Sequence, residues 1–245
     1  VDGRASLATA PTDSTVLLRG GGRRLARGRC RTVLFVGLLA GLGLGLDGGL
    51  LRWPAEAKSY RVDPARSRLV ARTFKDGLAA RLAHDHTIEA TEVTGTVEYE
   101  PNAPEATRIT VEARTVSLRV DDADARRALG LAGLPSASDR EEIGKAMRAP
   151  GQLDVERFSV VRFASSRTER QPDGRLLLTG ALTLHGVSRE VTLPVEIRSD
   201  GDGFRGQGTL RLQPSAFGIP PYSTLLGAIR NKDEVVVHLD LVTIP

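Results

Sequence analysis

Between Arg175 and Arg198 the chain reads RLLLTGALTLHGVSREVTLPVEIR, two runs of alternating apolar and polar residues separated by His185-Gly186. A period of two is the period of an extended strand. It places Leu176, Leu178, Leu182 and Leu184 on one face with Gly180 among them, and Val191, Leu193, Val195 and Ile197 on the matching face of the return run. Thr179, Thr183, Ser188, Glu190, Thr192 and Glu196 fall on the other side. A short break between two such runs predicts a β-hairpin, and one dry face with one wet face is what the wall of an antiparallel sandwich or barrel requires.

The same alternation recurs. Strands are predicted near residues 59–62, 68–74, 80–89, 93–100, 107–118, 159–166, 203–212 and 234–243, with Asp173-Gly174 and Asp200-Gly201-Asp202-Gly203 as turns. Within residues 107–118 the inward set shifts from Ile109 and Val111 to Val116 and Leu118, which predicts a bulge near Ala113 to Thr115. Residues 121–150 break the pattern: 122–134 and 138–147 read as two short helices, the second capped by Ser138 with Glu141 and stopped by Pro150-Gly151. This insert is expected to cover one barrel mouth or to be a solvated connection.

The wording LTLHGVSREVTLPV, with the later FGIPPYS and the entry strand SYRVDPARSRL, resembles the YceI-like family. The resemblance runs from about Ser59 to Ile244 and is carried mainly by residues 180–194. It implies an all-β fold, an antiparallel lipocalin-like β-barrel that is secreted and binds polyisoprenoid lipid. Family members usually carry a histidine and an Asp-Phe-Phe-like element in the central connection. This chain departs there, reading DDADARRALG and later LDVERFSVVRF.

Residues 1–57 differ in composition. Six arginines between Arg19 and Arg31 precede an apolar run from Thr32 to Leu46, shorter than the ~20 residues that span a bilayer, and Ala55-Glu56-Ala57 offers a small-residue cleavage site. The segment reads as a leader cut after Ala57, with an uncleaved anchor over Val33 to Leu51 as the alternative; residues 58–245 are then the barrel domain, periplasmic or secreted. The leader holds eight Lys/Arg and four Asp/Glu, leaving 26 of each in residues 58–245. A formally neutral domain has no basic excess for phosphates, so nucleic acid is not expected as a partner. The single cysteine, Cys30, lies in the leader, so the domain is expected to lack disulfides.

Inward parity also sets the candidate site. Val97, Ile109, Val111, Phe163, Leu178, Leu182, Leu184, Val191, Leu193 and Leu210 would line an aliphatic interior, and Gly95, Gly180, Gly206 and Gly208 would either leave volume in it or serve barrel curvature. In RLAHDHTIEA the strand period puts Leu82, His84, His86 and Ile88 on that face, with Asp85, Thr87 and Glu89 outward. The two histidines could meet a ligand's polar end, hold a divalent metal, or be hydrogen-bonded core residues. His185 and His238 fall on outward parity and complete no metal set. Phe217, Ile219, Tyr222 and Leu225, around Pro220-Pro221, would flank an entrance or seal the barrel.

No catalytic or cofactor motif is present, and Asp121, Asp122, Glu141 and Glu142 read as solvated charges. The resulting expectation is a non-enzymatic carrier of an amphiphilic lipid without a cofactor. Transient membrane contact fits that role, and a homodimer stays open. The alternative is a periplasmic metal-binding protein using His84 and His86.

Overall fold

The computed structural model describes residues 58–100 and 102–245; the leader assigned to residues 1–57 lies outside them. Strands β1 (Lys58–Val62), β2 (Arg68–Asp76), β3 (His86–Ala90), β4 (Val93–Tyr99), β5 (Arg108–Arg114) and β6 (Leu118–Val120) come first. Helices α1 (Ala123–Ala128) and α2 (Ala137–Arg148) follow. Then come β7 (Val160–Arg170), β8 (Leu176–Leu184), β9 (Val187–Asp200), β10 (Gly203–Leu212), the short β11 (Ser223–Thr224) and β12 (Ile229–Ile244). All strand pairings are antiparallel, in the order β1-β4-β5-β7-β8-β9-β10-β12, and the ring is closed by Arg61 opposite Ile244 and Val62 opposite Thr243.

The other strands extend this ring. β2 pairs with β12, β3 with β2, and β6 with β3, so β1/β2, β3/β4 and β5/β6 are three bent staves of an eight-stranded barrel. Closing the sheet removes its edges. The hairpin predicted from alternation has Leu184 opposite Val187, so its loop is the two residues His185 (φ 51°) and Gly186 (φ 73°). Two consecutive positive φ values give the turn whose twist matches the flanking strands.

Elsewhere the boundaries differ from the sequence reading, for local reasons. The strand expected from Ala80 begins only at His86; residues Ala80–Leu82 form a single 3₁₀ turn. Asp85 explains the stop. Its carboxylate accepts the Lys75 backbone N–H (3.1 Å) and Arg72 (2.6 Å), replacing the ladder bond that a longer strand would have supplied. The change of phase after β5 is another 3₁₀ turn, Thr115–Ser117, tied down by the Thr115 hydroxyl donating to the Phe158 carbonyl (2.8 Å). That turn sends Val116 into solvent instead of inward, while Leu118 stays buried. Asp122 caps α1 through the N–H groups of Asp124 and Ala125, and α2 is capped by Ser136 with Asp139, not by Ser138 with Glu141. The true capping box lies two residues earlier, where the chain is still extended.

The core sits inside the barrel. Leu176, Leu178, Leu193 and Val195 form one buried cluster, and Val62, Val93, Val111, Val120 and Met147 belong to another, to which α2 contributes Met147.

Candidate functional site

Inward alternation over bent staves encloses a cavity of about 490 Å³, within the ~300–1,000 Å³ of small-molecule sites. Its walls are aliphatic. Ile88, Val97, Ile109 and Val111 line it from the first staves, Phe163, Leu178, Leu182 and Leu184 from β7 and β8, and Leu193 and Leu210 from β9 and β10. These are residues predicted from strand parity. Val191 and Phe217, predicted with them, are not among the lining residues. Val191 pairs with Gly180 and is half-buried there. Phe217 is 2% exposed and belongs to a 3₁₀ turn whose carbonyl contacts His185 Nδ1 (3.2 Å), so it anchors the hairpin tip instead of flanking an entrance. The backbone of Leu82 lies in the 3₁₀ turn and not in a strand; its side chain is outside the described residues.

The two ends of the cavity differ. At the end where β4 stops and β10 starts, Phe204 meets Tyr99 (4.4 Å between centroids) and Tyr60 (5.1 Å) edge to face, forming an aromatic floor. At the other end the polar residues gather: His84 and His86, Glu142 of α2, Gln152, and Asn231 and Lys232 of β12. Ile219, Pro220, Pro221 and Tyr222 complete this rim, with Tyr222 partly in solvent. The helical insert packs Ile143, Ala146 and Met147 against the same opening.

Two of the four sequence glycines show opposite uses. A Cβ at Gly180 would lie 2.3 Å from the Ala164 carbonyl oxygen, so glycine there permits neighbouring strands to close at a corner. At Gly206 a Cβ would meet only Val195, at 3.5 Å, and Gly206 lines the cavity.

His86 is held from behind. Its Nδ1–H donates to Asp121 (2.7 Å), whose carboxylate also accepts the Thr87 backbone N–H (2.9 Å) and Arg126 (2.6 Å). Asp121 was expected to be solvated and Thr87 to face water; both are 0% exposed, because α1 covers the outer face of β3. Burial raises the Asp121 carboxyl, but the bonds from His86, Thr87 and Arg126 outweigh it and hold the group below the usual aspartate value. An ionised carboxylate only accepts, so Nδ1 carries the proton and the other ring nitrogen of His86 remains for an occupant of the cavity. Arg126, itself buried, also donates to the carbonyls of Asp85, Ala132 and Gly133, stitching α1 and the loop after it to the start of β3.

Neither Asp121 nor Arg126 was singled out from sequence as a site residue; the available signal was an Asp five residues before an Arg across a helix N-cap. His84 also lines the cavity but is exposed. A carboxylate behind a histidine is the usual support of a metal ligand, yet among the described residues no group of three or more His, Cys, Asp or Glu side chains could hold a metal. His185 packs against Phe158 with the rings tilted (4.4 Å between centroids), and His238 lies off the cavity; burial, then Arg72 and Arg211, push His238 below the usual histidine value.

Comparison with known proteins follows the fold. The model of the YceI-like domain matches residues 60–243. A UPF0312 protein of Vibrio vulnificus (strain YJ016) is 34% identical over 93 residues, 36% of this chain and 49% of that protein, so the match spans about half of that relative's length. Protein YceI of Salmonella arizonae is 26% identical over 154 residues, 60% of this chain and 68% of that protein. Among solved structures, BcnA of Burkholderia cenocepacia superposes with a TM-score of 0.55 at 18% identity, covering 74% of this chain and 98% of that one. At that identity the likeness concerns the fold alone.

Proposed function

This chain belongs to the YceI-like family, and from that premise we propose that it is an exported, non-enzymatic barrel that holds the apolar chain of an amphiphilic lipid, polyisoprenoid or acyl, for sequestration or transport. One observation carries the reading: a cavity of about 490 Å³ with aliphatic walls, an aromatic floor, and its charged, amide and imidazole side chains gathered at the opposite rim. An amphiphile enters such a site in one orientation, tail first. Burying about ten methylenes at ~0.8 kcal/mol each supplies on the order of 8 kcal/mol, which is micromolar affinity before ordering costs.

In this reading His86 meets the polar end with its free ring nitrogen, and His84, Asn231 and Lys232 surround it. Export follows from the leader read in residues 1–57, and delivery of such a ligand entails transient contact with a membrane. Among the described residues no helix is long and apolar enough to cross one.

The test is native mass spectrometry of the exported protein purified without detergent, with organic extraction and metal analysis of the same sample. A stoichiometric lipid that is lost in folded Leu182→Arg or Leu193→Arg protein is the expected result. Bound metal lost on His84→Ala and His86→Ala, or neither lipid nor metal, would overturn it.

A further inference from the structure

Two loops stand at the polar rim of the cavity, the one after β2 and the one between β11 and β12. Their backbones touch, with the Ala79 N–H donating to the Ala228 carbonyl (2.9 Å). From this joined tip Leu78 and Leu226 project fully exposed, Leu225 is 66% exposed, and Tyr222 is partly exposed beside them. Leu225 and Leu226 are both left-handed, at φ 50° and 53°. Leucine rarely adopts that backbone, so the loop holds two strained residues in a row with their side chains turned outward. The turns at the opposite end of the barrel, around Pro172-Asp173-Gly174 and Asp200-Gly201-Asp202, carry no exposed large apolar side chain among the described residues.

Charge is distributed around the same tip. Lys75, Arg81, Arg230 and Lys232 are exposed within a few residues of the leucines. Of the adjacent acids, Asp76 pairs with Arg230 (2.9 Å) and Asp85 with Arg72 (2.6 Å), Asp233 accepts from the Ser215 backbone N–H (3.0 Å) and hydroxyl, and the acid lining the cavity mouth is Glu142 on α2. Among the described residues Lys75, Arg81 and Lys232 have no carboxylate within ion-pair distance.

We propose that this tip is a membrane-docking surface: Leu78, Leu225 and Leu226 enter the interface of an anionic bilayer while Lys75, Arg81 and Lys232 face its headgroups, setting the cavity mouth against the lipid it loads or releases. Apolar tips ringed by basic residues favour the boundary between headgroups and acyl chains. The inference rests on the lipid-carrier reading and adds where the barrel meets its source.

The full chain, with Cys30→Ser, is labelled with an environment-sensitive bimane at Leu226→Cys or, at the far end, Asp202→Cys. It is then mixed with phosphatidylglycerol-containing vesicles whose acyl chains are brominated. Blue-shifted emission and quenching at position 226 with neither at position 202 is expected. Lys75→Glu, Arg81→Glu and Lys232→Glu together should weaken that signal on the order of a hundredfold, at about fivefold per basic side chain near an anionic surface.

A label at position 226 that stays water-exposed, whether or not vesicles hold the chain elsewhere, overturns the proposal. So does a blue shift without vesicles: one that rises with protein concentration means a second copy covers the leucines, and one that does not means another segment of the chain does. Leu193→Arg, which blocks the cavity, should leave quenching at position 226 unchanged, so failure of the carrier reading is distinguishable from failure of this one.

Discussion

Removing the Asp121 carboxylate should cost about as much as truncating a fully buried leucine of the barrel wall. In Asp121→Ala three donors lose their acceptor at once: His86 Nδ1–H, the Thr87 N–H and Arg126. Arg126 is left charged with its side chain 5% exposed, held only by three backbone carbonyls. Breaking a buried pair from one side costs about 3–5 kcal/mol. At about 2–4 °C per kcal/mol for a domain of this size, the melting temperature should fall on the order of 10 °C.

Arg126→Met should cost a comparable amount, because it strands the buried carboxylate. The double variant should cost close to the larger single change instead of the sum, since its second substitution removes a charge that is already unpaired. Chemical denaturation of the wild type and the three variants reads all of this in one cycle. A loss below about 1 kcal/mol for Asp121→Ala, outside the range expected for a buried pair, would refute the reasoning, as would strict additivity in the double variant.

The two glycines should separate curvature from volume. Gly180→Ala places a Cβ within 2.3 Å of a backbone oxygen and should destabilise by about 1–3 kcal/mol, whereas Gly206→Val should leave the melting temperature nearly unchanged and reduce co-purifying lipid; equal stability losses in the two variants would show that both positions are merely packed. The Asp121 value is depressed in the folded state, so its contribution is complete above the unfolded aspartate value and is lost as pH falls through the folded one. Asp121→Asn should therefore flatten the acid limb of the stability profile in acid titrations of unfolding, and an unchanged limb would assign acid sensitivity to other carboxylates.

Strand alternation alone located the barrel wall, because a period of two separates inside from outside without knowledge of which strands pair. Leu178, Leu182 and Leu193 face the cavity for that reason, as does His86 at the start of β3, whereas His84 lines it from the loop before the strand, where parity does not apply. The sequence also marked the helical insert by its loss of alternation.

What parity cannot carry is contact between segments far apart in the chain. Whether Gly180 or Gly206 leaves space depends on the strand across from each. Val191 has the parity of a lining residue and is not one, and Phe217 is drawn to the hairpin tip through a bond to His185, 32 residues away. Above all, Asp121 looks like a surface acid beside a turn. It becomes the buried support of His86 only when β6 lies beside β3 and α1 closes over β3, because burial and hydrogen-bond partners are properties of the packed tertiary structure and not of the local sequence.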